Sequence, residues 1–357
     1  MSLCQWGWNS YFQAMWSEGE RENAMPARVV SQQRKFWRVA GAFGICLAGA
    51  SGKLRLAAEE GAAWPAVGDW VSVELQGAGA VAVIRAVLTR RNRFIRKSPG
   101  KMIVEQVIAA NVDTALVVSA LDGDFNPRRV ERYLAQCWES GVKPVLILNK
   151  ADACENTREK AAEMERVLLG TPVFVVSAKT SQGIEEFKPL LIPGKTIVML
   201  GSSGVGKSTL TNRLLGESLQ KVNDVRANDS RGQHTTTARE LFALPGGALL
   251  IDTPGLRELQ LWDAEEGLAQ AFADINLVAA QCRFSDCRHE AEPGCAVQAA
   301  VQAGTLDSAR LENHRKLLRE QEFLRRKMDP QARSQKKQRI RRLTREAREI
   351  YRLKNPD

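Results

Sequence analysis

The chain has 357 residues, 44% of them hydrophobic and 26% charged, with seven cysteines and a net charge of +10. That length suggests about two to three domains, and the composition is that of a globular protein rather than a disordered one. No apolar run approaches the roughly 18–20 residues needed to cross a bilayer. The opening MSLCQWGWNSYFQ is no signal peptide, and the odd, scattered cysteines are unlike a secreted disulfide scaffold, so a soluble cytoplasmic protein is expected.

Residues 1–25 carry Trp6, Trp8 and Trp16 and read as a lead-in whose structure the sequence leaves unassigned. Over 26–106 the pattern is short β-type runs, RVV, FWRVAG, GKLRLA, DWVSVEL and AVAVIRAVL, broken by Gly, Pro or polar clusters, as in a small barrel or sandwich. Its end holds TRRNRFIRKSPGK (89–101), which reads as a basic loop with one aromatic, Phe94. Over 107–275 the rhythm changes to buried-strand runs alternating with helices: VDTALVVSAL, VKPVLILNK, TPVFVVSAK, KTIVMLG and GALLIDTPG are the strands. RRVERYLAQCWESG, NTREKAAEMERVLLG and STLTNRLLG are the helices, and the alternation predicts a parallel sheet covered on both faces.

Residues 276–330 hold a Cys/His cluster and a helical stretch from about 305 to 328. Residues 331–357 predict a second, basic helix with Ile340, Leu343, Ala347 and Ile350 on a narrow apolar stripe. There is no internal repeat. Residues 305–357 contain 17 basic and 8 acidic side chains, so nearly all the net charge sits there. A neutral body with a basic tail points to a polyanionic partner met mainly through that tail, or more simply to a solvated basic helix.

Gly201-Ser202-Ser203-Gly204-Val205-Gly206-Lys207-Ser208-Thr209 fits the phosphate-loop pattern, with a strand before it and a helix after it. Such a turn aims backbone N–H groups and a helix N-terminus at phosphate oxygens. Lys207 would neutralise the β and γ phosphates, and Ser208 would ligand Mg²⁺. Asp252-Thr-Pro-Gly255 ends another strand; Asp252 could hold Mg²⁺ through water, and the Gly255 N–H could meet the γ phosphate.

Asn149-Lys150-Ala151-Asp152 follows a third strand. A carboxylate there can accept from both the ring N1–H and the exocyclic amine of guanine, donors that adenine lacks. Ser177-Ala178-Lys179, after a fourth strand, would supply backbone N–H groups for the guanine carbonyl. Together the four motifs specify GTP/GDP.

Their order is unusual. A Ras-like GTPase runs phosphate loop, switch threonine, DxxG, NKxD, SAK, whereas here the two base-binding motifs come first. The same sheet can be built with its chain ends moved, so a circularly permuted GTPase core is predicted. The polar stretch 223–240 is long enough to be a switch loop. One of Thr235, Thr236 or Thr237 should complete the Mg²⁺ shell, Thr236 being favoured. Leu256 follows DTPG where a glutamine could orient water, which leaves His234 as the nearest candidate, against a plain solvated loop histidine.

Cys282, Cys287, His289 and Cys295 gather three thiols and an imidazole within 14 residues. That set suits a closed tetrahedral structural Zn²⁺; the competing reading is reduced, unligated cysteines. Cys4, Cys46, Cys137 and Cys154 read as ordinary thiols.

The motifs NKAD, GSSGVGKST, RGQHTTT, DTPG and the Cys/His set, over roughly residues 26–330, closely resemble those of the small-ribosomal-subunit biogenesis GTPase family, RsgA. The resemblance implies an OB-fold for the N-terminal barrel, a late role in maturing the small ribosomal subunit, and GTP hydrolysis stimulated by it. It also implies base contacts by Asn149, Lys150 and Asp152, phosphate contacts by 201–209, and zinc on the Cys/His set. OB-folds bind single strands through a basic groove with stacking aromatics. Arg90, Arg91, Arg93, Phe94, Arg96 and Lys97 offer such a mixture, unless Phe94 folds into the core. The expected partners are therefore the small subunit and its rRNA, with no membrane and no DNA, and the chain is expected to act as a monomer. DTPG ends 27 residues before Cys282, so a γ-phosphate switch would feed straight into the zinc domain. Two other readings stay open here: an RNA-binding module holding GTP as a structural ligand, and a translation-factor-like GTPase on assembled ribosomes.

Overall fold

In the computed structural model the described residues are 2–17, 23–33, 36–59, 64–77, 81–97, 105–168, 170–216, 239–252 and 265–328. Five strands build the N-terminal unit: β1 (Met25–Gln33), β2 (Phe36–Gly41), β3 (Gly44–Ala50), β4 (Trp70–Gln76) and β5 (Val81–Val87). They lie in the order β1-β2-β3-β5-β4, and β4 returns to pair with β1, closing a barrel around Val29, Trp37, Val39, Val71, Val73 and Ile84. Closure removes the exposed strand edges, and the five-stranded barrel is that of the OB-fold.

Two local expectations fail here. GKLRLA is not a strand but belongs to helix α2 (Gly52–Glu59), while the third barrel strand is the preceding GICLAGA. Ser51 decides the matter: its Oγ accepts from the Leu54 N–H at 3.2 Å and its carbonyl from the Arg55 N–H at 3.0 Å, starting a helix. Leu54 then packs on the barrel core.

The basic segment is likewise no loop throughout. Arg93–Lys97 forms β6, paired with β7 (Glu105–Ala110) in a separate two-stranded sheet. Phe94 is 1% exposed in the main core, so it is no stacking platform. Arg90 grips the buried Asp69 with two hydrogen bonds of 2.8 and 2.6 Å, and Arg91 pairs with Asp113 at 2.8 Å.

The central sheet contains β8 (Thr114–Ala120), β9 (Lys143–Asn149), β10 (Val173–Val175), β11 (Thr196–Leu200), β12 (Arg239–Ala243) and β13 (Leu249–Asp252). Its order is β10-β9-β8-β11-β13-β12, parallel except for β12, which also joins β1 of the barrel. The near-continuous apolar runs follow from burial on both faces. One set, Val117, Leu146, Leu148, Val198 and Leu200, meets Val130 and Leu134 of α3 (Pro127–Glu139) and Met164 of α4 (Thr157–Val167). The alternate set, Leu116, Val118, Ile147, Ile197 and Met199, meets α5 (Ile184–Phe187) and α6 (Lys207–Leu215).

The lead-in is ordered. After a short turn (Leu3–Trp6), α1 (Ser10–Ser17) begins, and Trp6 and Phe12 are buried beside Trp70. The buried Arg28 donates to the Trp6 carbonyl at 2.8 Å, the Asn111 carbonyl at 3.3 Å and Thr196 Oγ1 at 3.0 Å, so it ties lead-in, barrel and central sheet together. Burial pulls its guanidinium down to about 10 against the attraction of Asp113 and Asp69.

Beyond the sheet, α7 (Glu265–Ala271), α8 (Ala273–Ala279), α9 (Ala296–Gln302) and α10 (Ser308–Met328) enclose a small core of Leu268, Phe272, Ile275, Val297, Leu306, Leu311 and Leu317. The expected helix at 305–328 is α10; the expected basic helix of 331–357 lies outside the described residues. No helix among the described residues is long and apolar enough to cross a membrane.

This C-terminal module docks on α3 through charge. Glu131, fully buried, accepts from Arg310 at 2.9 Å, Arg128 at 2.5 Å and Asn313 at 2.5 Å, and Arg310 also pairs with Asp274 at 2.7 Å. Glu131→Ala would strand the buried Arg310 with less than its full complement of partners. A loss of about 3–5 kcal/mol in urea denaturation is expected; a loss below about 1 kcal/mol would show that the pair does not hold the module.

Candidate functional site

The carboxyl ends of β8, β9, β10, β11 and β13 converge where the strand order reverses between β8 and β11, the place where open α/β sheets bind ligands. From β11 the chain turns through 201–206 into α6. Gly206 has φ +94, and a Cβ there would collide with the Asn149 side-chain amide; Gly201 has φ +145, and a Cβ there would strike the Val118 carbonyl. Only glycine satisfies both demands. Lys207 Nζ donates to the carbonyls of Gly201 at 2.7 Å and Ser202 at 2.6 Å. Val205 is buried, while Ser203, Gly204, Ser208 and Thr209 are exposed.

Asn149, at the end of β9, is 1% exposed and joins three loops. Its Nδ2 donates to the Val205 carbonyl at 2.9 Å, and its Oδ1 accepts from the Ala178 N–H at 2.9 Å. Lys150, at φ +64, directs its ammonium to Asp122 at 2.7 Å. Asp152 accepts from the Ser177 hydroxyl at 2.6 Å, and Ser177 Oγ also accepts from the Thr180 N–H at 3.1 Å. The Ser177 bond holds the Asp152 carboxyl below the usual carboxylate range, so it is an acceptor-only anion at neutral pH. Lys179 Nζ lies 4.0 Å from it, mostly exposed. Arg213 of α6 donates to the carbonyls of Ala178 at 3.0 Å and Lys179 at 2.8 Å, fixing the third loop to the first.

The structure thus brings together Asn149, Lys150, Asp152, Ser177, Ala178 and the 201–209 turn. Asp252 ends β13, exposed. His234, the three threonines 235–237 and Gly255 lie outside the described residues. Four neighbours were not found by sequence reasoning: Asp122, Asp124, Arg129 and Arg213. Asp122 could have been suspected, because it directly follows a buried strand run.

A second cluster lies in the C-terminal module. The ligand atoms of Cys282, Cys287, His289 and Cys295 are all within 4.8 Å of one another. His289 Nδ1 is 3.6 Å from Cys282 Sγ and 3.5 Å from Cys295 Sγ, and those sulfurs are 3.9 Å apart. A tetrahedron with Zn–S of about 2.3 Å and Zn–N of about 2.0 Å has S···S edges near 3.8 Å and S···N edges near 3.5 Å. The donor set and its spacing therefore fit zinc.

The surroundings prepare the ligands. Burial works against the Cys282 thiolate, but backbone N–H groups of Val297 and Ala296, with Cys295 and Cys287, bring its pKa below the ordinary value. Burial, then Arg315, lowers His289 and favours the neutral, ligating imidazole. The His289 carbonyl accepts from Gln298 and Arg315, which orients the residue at φ +61.

Comparison with known proteins agrees with this geometry. The family model described as RsgA GTPase matches residues 87–262. A protein of Opitutus terrae named small ribosomal subunit biogenesis GTPase RsgA is 47% identical over 339 residues, covering 92% of this chain and 92% of its own. One of the same name from Xylella fastidiosa is 48% identical, covering 82% of this chain and 84% of its own. Among solved structures, YjeQ from Thermotoga maritima aligns with a TM-score of 0.63 and 31% identity over 84% of this chain and 98% of that one. YloQ, described as a circularly permuted GTPase, aligns at 0.60 over 85% and 97%, with 22% identity, a likeness of fold. With the base-binding loops preceding the phosphate loop in the chain yet meeting it through Asn149, this GTP-hydrolysing enzyme belongs to the circularly permuted RsgA GTPase family.

Proposed function

We propose that this GTPase binds the small ribosomal subunit and its rRNA in the cytoplasm and assists the subunit's late maturation. It hydrolyses GTP to GDP and phosphate when the subunit engages it, and the nucleotide state times its release. The subunit enters through the names of the Opitutus terrae and Xylella fastidiosa relatives. The observation that carries the nucleotide half is the Asn149 amide, which sets the phosphate loop and the Ser177–Lys179 loop at fixed spacing.

In this reading Asp152 accepts the two guanine donors. The Ala178 N–H is already engaged by Asn149, so the guanine carbonyl falls to the next amide, that of Lys179. The Lys207 ammonium and the backbone N–H groups of 202–208 meet the phosphates, and Gly255 senses the γ phosphate. Mg²⁺, with Ser208 and Thr236 as hydroxyl ligands and Asp252 behind it, would offset charge on the β and γ oxygens. His234 orients the attacking water. One zinc on Cys282, Cys287, His289 and Cys295 is structural, with no open position for catalysis. Arg93, Arg96 and the basic residues of the tail supply cations for rRNA phosphates.

The test is GTP turnover by the purified protein alone and with isolated small subunits, large subunits and joined ribosomes. Stimulation by small subunits only, on the order of tens-fold, is expected. No stimulation by any of them would overturn the reading in favour of an RNA-binding module with GTP as a structural ligand. A preference for joined ribosomes would indicate a translation-factor-like enzyme.

A further inference from the structure

The phosphate loop is held by two cations, Lys207 and Arg129. Lys207 rests on the carbonyls of Gly201 and Ser202, so the Ser202 peptide is part of the seat of its ammonium. Arg129, on the first turn of α3, donates from Nη1 to Ser202 Oγ at 3.0 Å. Arg129 is in turn fixed by Asp124, at 2.6 Å from Nη1 to Oδ2 and 3.1 Å from Nη2 to Oδ1, and the same Asp124 Oδ2 accepts a longer bond from the Ser202 hydroxyl at 3.4 Å.

The rest of this helical turn points elsewhere. Residues 128, 131 and 132 share one face by their spacing of three and four, while 129 projects about 100° away. On that shared face Arg128 pairs with Asp307, Glu131 with Arg310 and Asn313, and Arg132 with Glu320 through two hydrogen bonds. One turn of helix therefore carries the phosphate loop on one side and the C-terminal module on the other.

We propose that Arg129 is a positioning residue for GTP hydrolysis: it fixes Ser202, and through Ser202 the Lys207 ammonium, on the helical turn to which the C-terminal module is docked. The inference rests on the phosphate-loop reading given above. A lysine held in place before charge develops on the phosphates stabilises the transition state without reorganising at the moment of reaction. Without Arg129, Ser202 keeps only the long 3.4 Å bond to Asp124, which has itself lost its cation, so the Ser202 peptide can shift and Lys207 must be re-ordered at each turnover. The loss should therefore fall on kcat rather than on ground-state binding. By reciprocity, whatever grips the C-terminal module acts on the same turn.

The experiment is steady-state GTP turnover with GDP affinity for wild type, Arg129→Ala, Arg129→Lys, Ser202→Ala and the Arg129→Ala/Ser202→Ala double variant. Losing one charge-assisted hydrogen bond should lower kcat about tenfold, with KM and GDP affinity changed by less than about threefold. Arg129→Lys should recover part of the rate. Ser202→Ala, which also removes the long bond to Asp124, should show a kcat loss at least as large, and the double variant should fall no further than the worse single one, because each removes the Arg129–Ser202 contact. The inference is overturned if Arg129→Ala stays within about twofold of wild-type kcat, or if the two single losses multiply. A wild-type protein without GTP affinity would overturn the phosphate-loop reading and this inference with it. A wild-type enzyme with unresponsive variants overturns the inference alone.

Discussion

Asp152→Asn is expected to exchange GTP for xanthosine triphosphate as the preferred substrate. Guanine offers two donors side by side, and the Asp152 carboxylate, kept ionised first by its bond from Ser177, offers only acceptors. In the asparagine variant the Ser177 hydroxyl still needs an acceptor, so it holds the amide oxygen and turns the NH₂ group toward the base. That NH₂ then faces the guanine amine, donor against donor. Xanthine carries a carbonyl at the same place and accepts from it. Sites built on such hydrogen bonds reject the mismatched partner by a factor on the order of 10⁴. GTP turnover at limiting substrate should fall by that order, and xanthosine triphosphate turnover should rise above it. Asp152 is exposed on a strand-end loop, so the fold should survive. GTP kcat/KM within about fivefold of wild type would show that Asp152 does not read the base.

What could be read in the chain alone depended on how local the determinants are. The strands β8, β9, β11 and β13 are buried on both faces, so their apolar runs stand out, and β9, β11 and β13 each end in a motif whose letters are contiguous. The Cys/His set was legible because its ligands fall within 14 residues. The barrel was harder. Its third strand, GICLAGA, has two glycines, two alanines and one β-branched side chain, a weak strand signal. The neighbouring GKLRLA alternates like a strand and becomes a helix because Ser51 caps it.

Closure of β4 on β1 and the joining of β12 to β1 are long-range pairings with no local mark. Phe94 looked available for stacking, but its register in β6 points it into the core. Asp124, Arg129 and Arg213 belong to no motif; Arg129 reaches the site because α3 starts beside the phosphate loop, and Arg213 because the last turn of α6 lies against the Ser177–Lys179 loop. The lead-in tryptophans could not be placed because their partners, Arg28 and Trp70, lie on the barrel.

Removing zinc is expected to loosen the C-terminal module internally while leaving the barrel and central sheet folded. The module's own apolar core is a handful of side chains around Phe272, Ile275 and Leu317, too few to order 265–328 alone. Structural zinc sites supply about 10–16 kcal/mol of apparent binding energy in small domains at neutral pH. Cys287→Ser is the cleanest variant, because Cys287 is only half-buried and its loss removes a ligand rather than core packing. Bound zinc should drop from about one per chain to nearly none. Trp138, which packs on this core, should change its emission. Cys46→Ala, a half-buried barrel thiol, should retain the metal.

The pH sense follows from the ligands. Without metal, burial pushes the Cys287 thiol up to about 11, so it is protonated at neutral pH and must release that proton to bind. Zinc affinity should therefore fall on acidification from neutrality. His289, held low by burial and Arg315, resists protonation and defers its own contribution to more acid pH. The module would still be tethered to α3 by Arg310–Glu131 and Arg132–Glu320, so it should loosen rather than leave. A Cys287→Ser protein that keeps one zinc per chain and melts like wild type would mean that the four residues are a chance gathering of reduced thiols.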